Sequence, residues 1–158
     1  MLKIIGSLVI SLIFWAAFLL LFQNGVIPIE KGGASNVAGA WLASTFIPSS
    51  LIVMGVTLFA AGIWFFLSSR SQDDERCYEQ VKYWWGLLML PLATIGVVTF
   101  AYRESLKDAV VYILISHVLH VIWIYWIGTC LSSQNFAKYI LPGSRKIRSI
   151  ASSIGIPV

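Results

Sequence analysis

Along the chain, long apolar runs alternate with short polar gaps. Ile4–Phe22, Pro48–Leu67, Tyr83–Tyr102 and Val110–Leu131 are free of Asp, Glu, Lys and Arg, and every formal charge lies outside them. A helix rises about 1.5 Å per residue and a bilayer's hydrocarbon core is about 30 Å thick, so runs of this length each match one crossing. The pattern predicts an all-α membrane protein: four transmembrane helices in two antiparallel hairpins, followed by an amphipathic cytoplasmic C-terminal segment. It divides into a four-span domain over residues 1–135 and a basic tail over 136–158.

The gaps carry the stop signals. Pro48 suits a first helical turn, which favours Pro48–Leu67 as the second span; the alternative is a helix that begins near Asn36 and kinks at Pro48. Ser71-Gln72-Asp73-Asp74 has the spacing of a helix cap, so Asp74–Lys82 reads as a polar extension of the third span. Ser105-x-x-Asp108 reads as the cap of the fourth. Pro91 leaves the Leu87 carbonyl without its helical donor and predicts a kink there. The connector from Gln23 to Ala40 contains Val26, Ile27 and Ile29, and is too apolar for a fully solvated linker. Small residues mark faces where another backbone could approach: Ser7 with Ser11, and Gly55 with Gly62. After Pro142-Gly143, Ile147, Ile150, Ala151 and Ile154 recur at helical spacing opposite Arg148, Ser149, Ser152 and Ser153. Such a segment lies along a leaflet, with Arg145, Lys146 and Arg148 near anionic headgroups.

Composition agrees with the pattern. The 158 residues are 58% hydrophobic and 11% charged, against roughly 25% charge in soluble domains. Seven Trp fall in the chain, and Trp41, Trp64, Trp84, Trp85 and Trp126 lie near expected span ends, where aromatic belts form. The net charge of +4 reflects basic loops flanking spans, not a nucleic-acid surface. Lys3, Arg70, Arg76, Lys82, Lys138, Arg145, Lys146 and Arg148 fall on one side, and Lys31, Arg103 and Lys107 on the other. Cytoplasmic loops carry the basic excess, so both termini are expected in the cytoplasm, with a bacterial inner membrane as the setting. The first run is longer than a secretory signal's apolar core, which predicts an uncleaved anchor. Cys77 and Cys130 then lie toward the reducing side and are expected as free thiols.

Candidate chemistry is confined to His117 and His120, three apart on the fourth span. Ser116, His117, His120, Trp123 and Ile124 define its expected inward stripe. Ionisable side chains at this depth are candidates for function because burying their charge is costly. They suit four readings. One is an axial ligand to a b-type haem, which requires a second chain because neighbours on one helix cannot grip both haem faces. A second is a zinc or copper site, which needs further ligands, and Cys130 is about 15 Å along the helix. A third is a proton relay or transport path in an oligomer. The fourth is structural: neutral histidines bonded across helices to hydroxyls such as Ser11, Thr57 or Thr94. The chain carries no phosphate-cradling glycine loop, H-E-x-x-H or nucleophile elbow. These observations lead to the expectation of a non-enzymatic membrane subunit of a secretion, conjugation or transport assembly. No resident cofactor is expected, and the partners expected are lipids, other subunits or further copies of the chain. A transporter using the two histidines and a haem-binding electron carrier are the alternatives.

Overall fold

A computed structural model describes residues 2–24, 26, 40–70, 74–103, 109–133, 137–153 and 155, with side chains for all of these except 2–4, 7, 74–78 and 137–138. All secondary structure among the described residues is helical. Helix α1 is Leu2–Gln23, α2 Leu42–Arg70, α3 Asp74–Ala101 and α4 Val110–Ser132, followed by a single turn α5 at Ala137–Ile140 and α6 at Ser144–Ser153. Three stretches are long and apolar enough to cross a membrane: Leu42–Arg70, Glu79–Ala101 and Val110–Ser132. In α1 the described apolar stretch is the shorter Leu8–Gln23. A helix answers the main demand of lipid, since it closes its backbone hydrogen bonds within one segment.

The start of α2 differs from the economical reading. The helix runs through Pro48 and begins before it, with Leu42–Phe46 wound as a π-helix. Proline removes a donor and its ring crowds the carbonyl four residues back. The wider turn, in which the Ile47 amide donates to the Leu42 carbonyl, accommodates that crowding ahead of the ring. Helix α3 likewise continues through Pro91 from Asp74 to Ala101, so the expected polar extension and span form one helix. The two expected caps, at Ser71 and at Ser105-x-x-Asp108, lie outside the described residues, as does most of the connector from Gln23 to Ala40.

Two apolar clusters set the direction of the helices. At the far end, Phe22 closes α1, Leu42 and Phe46 open α2, and Ala109 and Ile113 open α4, with Tyr102 beside them at the end of α3. At the tail end, Ala60, Ala61 and Trp64 of α2 meet Trp84 and Leu88 of α3, Tyr125 and Cys130 of α4, and Leu141. Thus α1 and α3 run toward the far end, and α2 and α4 run back. With lipid outside, apolar burial between helices brings little net gain, so close packing and polar contacts set the arrangement.

The tail end is the most heavily bonded part of the molecule. Trp64 Nε1 donates to Ser133 Oγ at 2.8 Å, and Ser133 passes its own proton to the Thr129 carbonyl at 2.6 Å. Trp84 Nε1 donates to Thr129 Oγ1 at 3.0 Å, and Thr129 donates in turn to the Trp126 carbonyl. Tyr125 Oη donates to the Trp84 carbonyl at 2.5 Å. Trp64 and Trp84 are therefore fully buried hubs, whereas Tyr83 and Trp85 are exposed. Their indole N–H groups find hydroxyls on a neighbouring helix, which permits a complete burial that lipid facing would not require.

The tail folds back on this network. Trp126 Nε1 donates to the Pro142 carbonyl at 2.9 Å, and Gly143 turns the chain at φ +79°, a conformation that side chains disfavour. Ser144, Ile147, Arg148 and Ala151 form the inward face of α6, with Ser144 and Ala151 buried. Arg148 Nε donates to the Cys130 carbonyl at 3.0 Å, and Nη2 to the carbonyls of Leu131 at 3.3 Å and Ser133 at 2.8 Å. The last carbonyls of a helix have no partner within it, and Arg148 supplies one. Hydrogen bonds to charged groups contribute about 1.5–3 kcal/mol, so Arg148→Ala is expected to cost about 1–3 kcal/mol at this half-buried site. The checks are the thermal midpoint in detergent and tryptic cleavage at Arg145 and Lys146, which should be lower and faster respectively. Arg148→Lys should recover only part of the loss, because a point charge lacks the planar fork. A tail as resistant as the parent's in Arg148→Ala would contradict the clamp.

Candidate functional site: a buried histidine layer

Val110–His120 is regular α-helix, and Ile113, Ser116, His117 and His120 share its buried face. Immediately after His120, α4 widens into a seven-residue π-helix, Val121–Ile127, before resuming α winding at Gly128. The expected stripe holds through Ile124, whereas Trp123 is half-buried and stacks on Phe14 of α1 with ring centroids 5.6 Å apart. Within the wider winding Val121 and Tyr125 are also buried. π segments are rare and concentrate at functional positions.

His120 is 1% exposed, and its Nδ1 shares a 2.7 Å hydrogen bond with Ser11 Oγ of α1. Ser11 is one of the three hydroxyl partners expected from sequence. Thr57 and Thr94 instead donate to carbonyls of their own helices, Val53 at 2.6 Å and Leu90 at 2.8 Å. His117 is fully buried, and neither of its ring nitrogens has a hydrogen-bond partner among the described residues. The same holds for His120 Nε2, Ser116 Oγ, Ser50 Oγ and Trp15 Nε1.

Ser116, His117 and His120 lie within about one turn of each other on the buried face of α4. Phe46 and Ile113 both belong to the far-end cluster. Ser50 lies four residues beyond the first and His117 four beyond the second, about 6 Å further along each helix. Trp15 stacks on Phe46 with centroids 6.4 Å apart. A neutral imidazole offers one donor and one acceptor, and a hydroxyl offers both. Leaving a buried polar group unpaired costs about 1–3 kcal/mol. Across such a layer that cost approaches the whole stability of a small domain, about 5–15 kcal/mol. The contrast with the heavily bonded tail end, one to two turns away along α4, where Ser132 Oγ also lacks a partner among the described residues, is the main chemical asymmetry of the molecule.

The arrangement bears on the cofactor readings. No group of three or more His, Cys, Asp or Glu is gathered among the described residues. Cys130 is a buried free thiol at the tail end, with Sγ 3.9 Å from the Pro142 carbonyl, and it stands apart from the histidines. The Cys77 thiol lies outside the described side chains. Both imidazoles sit between helices, so a haem would have to part the bundle to reach one.

The basic residues of the tail separate into two groups. Arg145 and Lys146 are exposed on α6. Arg148 is turned to the end of α4, where burial lowers its pKa from the ordinary arginine value while leaving it charged. Ile150, expected on the same apolar face as Ile147, is 63% exposed on the other side of the helix. Sequence spacing located the histidines but missed the roles of Trp64, Trp84, Thr129 and Arg148. The available signal was the run of small hydroxyls, Thr129, Ser132 and Ser133, at the close of an otherwise apolar helix.

The Ser11–His120 bond should carry a measurable coupling. In a cycle of Ser11→Ala, His120→Leu and the double variant, stability in mixed micelles should yield about 0.6 kcal/mol and no more than about 1.7 kcal/mol, the range of interhelical polar bonds in membranes. Strict additivity would contradict the contact. The chain matches no protein-family model, no curated protein and no solved structure.

Proposed function

We propose that this chain is a non-enzymatic integral membrane subunit of a larger inner-membrane assembly of the secretion, conjugation or transport kind. In this reading α1 to α4 all cross the membrane as two antiparallel hairpins, and both termini lie in the cytoplasm. The observation that carries it is the outward surface. Less than half of the apolar window of each long helix is buried within the chain, and in α3 the share is only 28%. Met89, Leu90, Leu92, Val97 and Phe100 leave α3 on its outer side. That apolar surface suits contacts with other membrane chains as well as with acyl tails. The exposed Arg145 and Lys146 would meet anionic headgroups, while Arg148 holds the tail in place.

Native mass spectrometry after gentle extraction from the source membrane tests this directly. The reading expects masses well above the 17.5 kDa chain, with other polypeptides attached. A bare chain carrying only lipid would contradict it.

A second reading, a transporter or channel that uses His117 and His120 in an oligomer, is favoured by the unpartnered His117. It expects His117→Gln to abolish solute or ion flux in proteoliposomes while expression and folding stay normal, and unchanged flux would remove it.

Orientation has its own check. In a chain with Cys77→Ser, Val26→Cys should react with an impermeant maleimide on intact cells, and Ser153→Cys only after permeabilisation. The opposite pattern would invert the topology.

A further inference from the structure

We infer that the level of His117 is a hydrated layer: a binding site for a few water molecules sealed inside the helix bundle. The inference stands apart from the subunit reading, because it concerns the interior of one chain. Trp15, Ser50, Ser116, His117 and His120 together present six buried polar atoms without a partner among the described residues. Ser116, His117 and His120, which carry four of the six, lie within about one turn on the buried face of α4, while Ser50 is four residues below Phe46, the ring on which Trp15 stacks.

Water is the ligand whose chemistry fits. The atoms include fixed donors (the indole N–H), fixed acceptors (one nitrogen of each neutral imidazole) and hydroxyls able to act as either, so an occupant must both donate and accept at short range. A buried water makes about three such bonds, and one molecule can bridge groups on different helices. A metal cation would be met by too few ligands, and an organic solute would need an apolar counterpart that this level does not supply.

Closure follows from burial, since His117 is 0% and His120 1% exposed. The far-end cluster lies above, and the second cluster, which extends from Val53, Ile95 and Val98 to Cys130, runs alongside and below. Water held between them is a resident part of the fold rather than a continuous pore. The Ser11–His120 bond holds one imidazole of the layer through Nδ1, and its buried Nε2 has no partner among the described residues. The π-helix that starts at Val121 places the change of winding next to the layer.

The chain has two histidines, so selective labelling with 15N-histidine puts only four ring nitrogens in the spectrum. The experiment is water-to-imidazole magnetisation transfer by magic-angle-spinning NMR on the full chain in lipid vesicles. The methyl groups of Ile113 and Ile124, both fully buried on the same helix, serve as the dry reference. Water polarisation should reach the His117 nitrogens and one nitrogen of His120 several-fold faster than those methyls. Build-up at the imidazoles as slow as at the methyls would overturn the inference.

A second arm uses His117→Phe, which removes two of the six atoms and fills space. Transfer to His120 should then fall several-fold, and transfer unchanged from the parent would overturn the shared layer. Should that variant fail to fold, the comparison in the unsubstituted chain still decides the matter.

Discussion

In lipid, a polar group that finds no partner inside the protein finds none at all, and this constraint organises the whole bundle. At the tail end most of the buried polar groups meet the constraint, with Ser132 Oγ an exception among the described residues. Each indole proton of Trp64, Trp84 and Trp126 goes to a named acceptor, and the hydroxyls of Thr129 and Ser133 accept from one helix and donate along their own. Arg148 completes the set by covering the carbonyls at which α4 ends. Three long helices and the tail are tied together there through neutral and charged bonds that also exclude water.

The same rule makes the histidine layer conspicuous. One bond, from Ser11 to His120, crosses between α1 and α4, and around it lie polar atoms that the protein's described residues leave unpaired. A heavily bonded anchor beside a sparsely bonded layer divides the bundle into a part that holds shape and a part with more hydrogen-bonding capacity to spare. Apolar packing at the far end, where Phe22, Trp41 and Phe46 meet at centroid distances of 5.1–5.2 Å, closes the layer from the opposite side.

Much of this was legible in the order of residues. The charge-free runs located all three of the long apolar helices, and of the three hydroxyls offered as partners for the histidines, Ser11 makes the interhelical bond found among the described residues. The failures share a cause. Near the ends of apolar runs, Trp64 and Trp84 resemble interfacial anchors, because one-dimensional position cannot tell a tryptophan facing headgroups from one facing a hydroxyl on the next helix. Arg148 resembles its neighbours Arg145 and Lys146 until α6 is docked, when one turn of helix separates an inward clamp from two exposed cations. The π segments at Leu42–Phe46 and Val121–Ile127 shift which side chains face inward, and a fixed helical period has no means of anticipating them. The earlier start of α2 follows from the first of these, and the inward Tyr125 from the second.

The central claim is that a bonded tail end supports a wetter layer at the histidines. Amide hydrogen–deuterium exchange on the full chain in lipid vesicles tests it most directly, because exchange reports both water access and local opening. The account predicts that amides of Gly128–Ser132 and those around Trp64 exchange slowest, and that amides over Ser116–His120 exchange measurably faster despite lying deeper in the apolar stretch. Uniformly slow exchange along α4, or the fastest exchange at its tail end, would contradict it.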